Sequence, residues 1–175
     1  AAISDAARAG EEARAALAGE AGPSFPALAR LSLIPNILAE TFRLSPPIPI
    51  FARRPRQVEL VTDIAVRETG LLFISPWHLG RHQAFWPDPK RFDPDRWKRR
   101  GQGTQPGMHY IPFSEGKRSC PGAGMARLEL TALLTQIFAA FEIEAVPGAE
   151  PAPLAGLALG ASDGIMLSLR PRADG

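Results

Sequence analysis

The residues with the most chemistry in this 175-residue chain lie together in Phe113-Ser114-Glu115-Gly116-Lys117-Arg118-Ser119-Cys120-Pro121-Gly122. Cys120 is the single cysteine, so the chain holds no partner for a disulfide, a CxxC redox pair or a zinc knuckle. It stands where an aperiodic segment gives way to a strong helical pattern. A thiolate there gains from unpaired backbone N–H groups and the positive end of the helix dipole. Pro121 suits a first helical turn. Gly116 and Gly122 let the backbone come close to a flat, bulky object. Arg118 brings a cation near the sulfur, and Phe113 an aromatic face. The set describes a soft anionic metal ligand whose basicity is damped by the donors around it. From the residues alone two other readings stay open. Cys120 could be a small buried hydrophobe, or a nucleophile served by His78, His82 or His109, although none of these histidines lies in a catalytic motif.

Helices and strands must position this segment. Ile3 to Leu17, rich in alanine, predicts a helix that ends near Gly19, and Gly22-Pro23-Ser24 breaks the chain after it. A second helix is expected from Pro35, tolerated in a first turn, to Leu44, stopped by Ser45-Pro46-Pro47. Val58 to Val66 carries β-branched residues for one or two strands, and Leu71 to Ser75 another. From Pro76 to Pro112 periodicity disappears, yet Trp86, Phe92, Trp97 and Tyr110 argue for ordered loop rather than disorder. After Cys120, Met125, Leu128, Ala132, Thr135 and Phe138 keep helical spacing, while Leu130, Leu134, Ile137 and Phe141 widen the stripe. That helix is expected to be buried on most sides. Leu154 to Leu159 and Ile165 to Leu169, around Ser162-Asp163-Gly164, predict a closing hairpin.

Bulk properties narrow the class. With 45% hydrophobic and 22% charged residues the composition is that of a soluble globular domain. No apolar run approaches the roughly 20 residues needed to span a bilayer. A net charge of +2 gives no case for nucleic-acid binding. No signal peptide is visible at Ala1 to Gly10, and a single cysteine fits a reducing compartment; the cytoplasmic location expected for the chain rests on the style of its motifs. A start at Ala1 rather than Met suggests processing or a start inside a longer protein.

The pattern Phe113-x-x-Gly116-x-Arg118-x-Cys120-x-Gly122 resembles, in full, the haem-binding signature of the cytochrome P-450 monooxygenases. Three further stretches are similar to the family in the same order. Glu40-Thr41-Phe42-Arg43 resembles its Glu-x-x-Arg, a spacing that places both side chains on one helical face. Phe92-Asp93-Pro94-Asp95-Arg96-Trp97 resembles the segment whose arginine, here Arg96, joins that pair in a buried network; Asp95 replaces the more usual Glu. Phe73 to Pro89 looks like the strand and connection before it in bacterial members. Gly80 stands where many relatives have His, and His78 and Arg81 are given no role beyond structure.

The resemblance implies the fold: mainly α with small β-sheets (α+β), residues 1–175 forming the carboxy-terminal, proximal part of one haem-thiolate domain. Its central oxygen-activating helix would lie outside this chain. The implied cofactor is haem b, with Cys120 as the metal ligand and Phe113, Gly116, Arg118 and Gly122 around it; the thiolate assignment is carried over from the family. Arg53, ten residues after Arg43, matches a position that relatives use on a haem propionate, and Arg118 a second; Arg54 competes if the register slips by one. Arginine–carboxylate pairing suits such a clamp. Ile48-Pro49-Ile50-Phe51 and Leu159-Gly160-Ala161 resemble walls of the substrate pocket, or are simply connectors packed on the core.

For the whole protein the resemblance implies insertion of one oxygen atom from O2 into a lipophilic small molecule, with a ferredoxin or flavoprotein reductase as electron donor. Lys117, Arg127 and Lys98-Arg99-Arg100 would face that donor. No residue of this chain is assigned as a catalytic proton donor. A non-catalytic haem-binding protein, or a truncated fragment without independent activity, are the alternatives, and the chain alone is expected to be inactive.

Overall fold

The computed structural model describes residues 2–99, 107–149 and 151–172. Its frame is three helices. α1 (Ala2–Leu17) and α3 (Leu33–Leu44) pack together and on α6 (Ala123–Ala140). The face of α1 that makes this possible carries Ala9, Ala13 and Ala16, all buried. Small residues at three- and four-residue spacing let the helices approach closely. Leu31, Leu33, Ile34 and Ile37 fill the other side, and Phe138 closes the cluster from α6.

α3 begins at Leu33, two residues before the expected Pro35. Its own Ser32 makes no side-chain cap. The cap comes from α1: Glu12 accepts from the backbone N–H of Ser32 (2.7 Å), Leu33 (2.8 Å) and Ile34 (2.9 Å), and from the Ser32 hydroxyl (2.9 Å). A carboxylate on the exposed N–H groups and positive end of a helix is stabilising. Burial opposes ionisation of Glu12, but these bonds hold its carboxyl below the usual range. A short helix not foreseen in the sequence, α2 (Phe25–Ala29), starts at Ser24, whose hydroxyl accepts from Ala27 N–H.

Beyond α3 the chain forms small antiparallel pairs. β1 (Phe51–Arg53) pairs with β4 (Leu72–Ile74), and β2 (Glu59–Val61) with β3 (Ile64–Val66). α4 (Pro76–Leu79) and α5 (Asp95–Arg99) punctuate the ordered loop. Arg100, last of the expected basic cluster, lies outside the described residues.

Two expectations are corrected. The hairpin predicted from Leu154–Leu159 and Ile165–Leu169 does not form. Instead β6 (Pro153–Ala155) pairs with β7 (Leu159–Ala161), and β8 (Leu167–Pro171) returns to β5 (Phe141–Ala145), which continues straight from α6. The reversal sits at Gly156, whose N–H donates to Ala158 O at 3.2 Å. The Ser162-Asp163-Gly164 turn only redirects the chain. The second correction concerns α6. Of its residues only Thr135 and Phe138 are buried, and Met125 is 67% exposed. An all-round apolar helix predicts burial, yet among the described residues the other helices, α1 and α3, cover one side of it.

Candidate functional site

α3 is the strut of the site. One of its ends enters a buried ion network. Glu40 is 0%, Arg43 1% and Arg96 6% exposed. Five donors converge on the Glu40 carboxylate: Arg43 Nε (2.9 Å) and Nη2 (2.7 Å), Arg96 Nε (2.9 Å), Asp93 N–H (2.9 Å) and Trp97 Nε1 (3.0 Å). Both arginines also donate to backbone carbonyls. Arg43 donates to Gly80 O, Pro89 O (2.6 Å) and Arg91 O (3.0 Å), and Arg96 to Pro87 O (2.8 Å), Asp88 O and Arg91 O. Trp86 lies 5.2 Å from the Arg43 guanidinium. One carboxylate and two main-chain walls thus satisfy two cations, and the aperiodic loop is pinned to α3. Outside this core Asp95 pairs with Arg8 (3.0 Å), tying α5 to α1; the Arg8 hydrogen bond holds the Asp95 carboxyl below its usual range.

α3 also braces the Cys120 segment. Phe42 meets Phe113 edge-on at 5.1 Å, and Tyr110 OH donates to Ala39 O at 3.3 Å. Burial pushes the Tyr110 phenol well up. From Phe113 the chain makes a tight loop. Ser114 (φ 63°) and Gly116 (φ 72°) are left-handed, Ser119 N–H donates to Gly116 O (3.0 Å), and Cys120 N–H returns to Phe113 O (2.9 Å). A positive φ is glycine's province, so Gly116 is needed for the turn itself. Gly122 is not left-handed, and a Cβ there would make only ordinary contact, 3.9 Å from Cys120 Sγ. Gly122 caps α6, so the helix starts at Ala123, beyond the expected Pro121.

The result is an exposed thiol at one side of a cleft of about 350 Å³. Pro47, Ile48, Phe51, Pro112 and Phe113 supply its apolar walls, and Arg53, Arg118 and Ser114 its polar edge. Four expected site residues (Cys120, Arg118, Arg53 and Phe113) therefore meet around one space, while Gly116 and Gly122 shape the loop without lining it. β1 sets the register at Arg53: its Nη2 donates to Ser114 Oγ at 2.7 Å, and its guanidinium lies 4.5 Å from the Phe51 ring. Arg54, on the alternate side of the chain, is exposed. The sequence assigns Ser114 no role, and Arg127, expected to face an electron donor, places its guanidinium 4.7 Å from the Phe113 ring. Arg127 joins the site only by the helical turn that returns it over Phe113, and Ser114 by the tight loop.

Among the described residues no group of three or more His, Cys, Asp or Glu could hold a metal ion. The histidines proposed as partners of a nucleophile do not line the Cys120 cleft. Cys120 would thus be a lone protein ligand, which suits a metal that brings its other ligands with it. An apolar slot edged by two guanidiniums suits a flat, greasy group with an anionic rim. The residues fit an iron-porphyrin.

The chain belongs to the cytochrome P450 family: the family model "Cytochrome P450" matches residues 6–167. It is 36% identical over 129 residues to the human mitochondrial 25-hydroxyvitamin D-1 alpha hydroxylase, covering 74% of this chain and 25% of that protein. It is 32% identical over 123 residues to 2-hydroxyisoflavanone synthase of Glycyrrhiza uralensis, covering 66% and 24%. A solved structure, the haem domain of cytochrome P450DA, superposes with a TM-score of 0.85 at 30% identity over 95% of this chain and 36% of that one. The chain spans about a quarter of the length of these curated relatives. They come from plants and human, so the bacterial character expected of the motifs finds no support among them. Family members bind haem through a cysteine thiolate and are monooxygenases. No helix among the described residues is long and apolar enough to cross a membrane.

Proposed function

We propose that Cys120 would supply the thiolate ligand to a haem b shared by this chain and the rest of a longer protein, residues 1–175 forming the carboxy-terminal part of one haem-thiolate domain. The whole protein inserts one oxygen atom from O2 into a lipophilic small molecule. The observation that carries this reading is the exposed Cys120 thiol in an apolar cleft whose polar edge holds Arg53 and Arg118. When bound, the iron-porphyrin supplies oxygen activation, which a thiolate ligand favours by pushing electron density to the metal.

The chain's own residues hold and tune. Cys120 Sγ would ligate the iron, and Arg53 and Arg118 would hold the propionates as charge-assisted donors. Arg53 is pre-oriented by Ser114 and Phe51. Phe113, held between Phe42 and Arg127, would form part of the apolar wall beside Cys120. Gly116 keeps the loop tight through its left-handed backbone. No side chain here serves as proton donor to the reaction. Lys117, in the Cys120 loop, and Arg127, over Phe113, would favour an acidic electron donor, a ferredoxin or flavoprotein reductase.

In the whole protein, reduced haem with carbon monoxide is expected to show the red-shifted Soret band of thiolate ligation. Cys120→Ser removes that band. An unchanged band in the Ser variant refutes the assignment.

A further inference from the structure

Ser114 stands in a backbone conformation that suits it badly. Its φ is 63°, in the left-handed region, where a residue with a Cβ is uncommon and glycine is at ease. Gly116, two residues on, shows the residue type that such a turn ordinarily takes. The hydrogen bonds that close the loop do not require serine. Ser114 N–H donates to Ile111 O at 3.0 Å, Ser119 N–H to Gly116 O and Cys120 N–H to Phe113 O, all between main-chain groups. Glycine would make the same bond to Ile111. A strained residue kept where a relaxed one would close the turn points to a task for its side chain.

Part of that task is visible. Ser114 Oγ accepts from Arg53 Nη2 at 2.7 Å, which joins the loop to β1 across 61 positions of sequence. A hydroxyl that accepts in this way still has a proton to give. Among the described residues that proton has no acceptor, and Ser114 lines the Cys120 cleft together with Arg53 and Arg118. The guanidinium on its oxygen polarises the O–H and strengthens it as a donor. An anion that pairs with Arg53 therefore meets a second donor beside it.

We propose that Ser114 binds the anionic rim of the cofactor directly: its hydroxyl donates to the same carboxylate that Arg53 pairs with, and its left-handed backbone is tolerated for that bond. This rests on the haem reading, the carboxylate being a propionate. An O–H donated to a carboxylate is charge-assisted and among the stronger hydrogen bonds.

The test uses the whole protein and two measurements on each variant: the rate of haem transfer to an excess of a haem-scavenging apoglobin, and the denaturation midpoint of the haem-free protein. Ser114→Gly is expected to release haem about tenfold faster, one hydrogen bond's worth, with a haem-free midpoint no lower than wild type because the backbone relaxes. Ser114→Ala is expected to release haem as fast as the glycine variant. Asparagine tolerates the left-handed region, and its amide can accept from Arg53 and donate to the carboxylate, so Ser114→Asn should stay within about threefold of wild type. Adding Ser114→Ala to Arg53→Ala should change release by no more than about twofold, because the two groups act as one unit. Wild-type release in the glycine or alanine variant overturns the proposal. So does a midpoint that falls together with haem retention in Ser114→Gly, which would make the hydroxyl a merely structural group. An asparagine variant as leaky as alanine, or fully independent effects in the double variant, would overturn it too. The carbon monoxide spectrum separates the two readings. A wild type without the thiolate band sinks the haem reading and this proposal with it, whereas an intact band with unchanged release sinks this proposal alone.

Discussion

Around Glu40 the carboxylate and both arginines are hydrogen-bonded inside the chain; around Cys120 the polar groups line an open cleft. Glu40 receives five donors in the interior, and its two arginines also donate to main-chain carbonyls. The Cys120 thiol is exposed, Arg118 has no partner of that kind among the described residues, and Arg53 is steadied by Ser114, its neighbour's carbonyl Ala52 O and the Phe51 ring. The difference teaches what each region is for. Buried charge is tolerable only when paired and hydrogen-bonded, so the network is complete and structural. Open cations beside an apolar slot and a free thiol are what a ligand-binding edge needs before its ligand arrives. α3 links the two, carrying Glu40 and Arg43 at one point and bracing Phe113 through Phe42 at another.

The sharpest way to break this contrast is to remove one partner from the network. Glu40→Ala leaves Arg43 and Arg96 buried without a counter-charge and orphans Asp93 N–H and Trp97 Nε1. The expected cost is about 3–5 kcal/mol, a large part of a typical domain's stability. Arg96→Ala should fall in the same range. Expression of the whole protein followed by chemical denaturation measures it; near-wild-type midpoints in both variants would reduce the network to ordinary ion pairs.

A smaller effect is expected where α1 caps α3. Glu12→Gln keeps one acceptor but loses the charge, and a lost cap costs on the order of 1 kcal/mol. The sign with pH follows from the lowered Glu12 value. Its contribution is present above the unfolded-state value, about 4.3, and fades as pH falls through the lower folded value. Wild type and Glu12→Gln should therefore differ at neutral pH and converge in acid. Curves that stay parallel from neutral to acid pH would show that charge has no part in the cap.

Parts of this architecture could be read before any coordinates. Glu40 and Arg43, three apart on a helical pattern, had to share a face, and the Cys120 motif carried its residue types openly. The acceptors that complete the network could not be read, because backbone carbonyls such as Pro89 O and Arg91 O have no residue signature. Gly80 is similar: a Cβ there would lie 2.1 Å from Arg43 O, a closeness that only the folded loop creates. The pairing of β5 with β8 joins strands more than twenty residues apart, so a nearer turn signal at Ser162-Asp163-Gly164 misdirected the expectation. The exposure of α6 was misjudged for a different reason. Hydrophobic periodicity says which faces want cover, and Met125 and Leu133 still want it; it does not say that the cover lies in the same stretch of chain.

The smallest effect expected sharpens the comparison from the other side. Cys120 is exposed, and its thiol makes no hydrogen bond among those found. Its backbone N–H closes the loop on Phe113 O, and serine keeps that bond. Cys120→Ser should thus change the stability of the haem-free whole protein by no more than about 0.5 kcal/mol, as for a surface substitution without special contacts. The same change removes the thiolate band once haem is added, so one atom separates function from folding here. Matched denaturation of the two haem-free proteins is the measurement. A loss of several kcal/mol would mean that the sulfur packs into the fold as a small hydrophobe, and the outward-facing reading of this loop would fall with it.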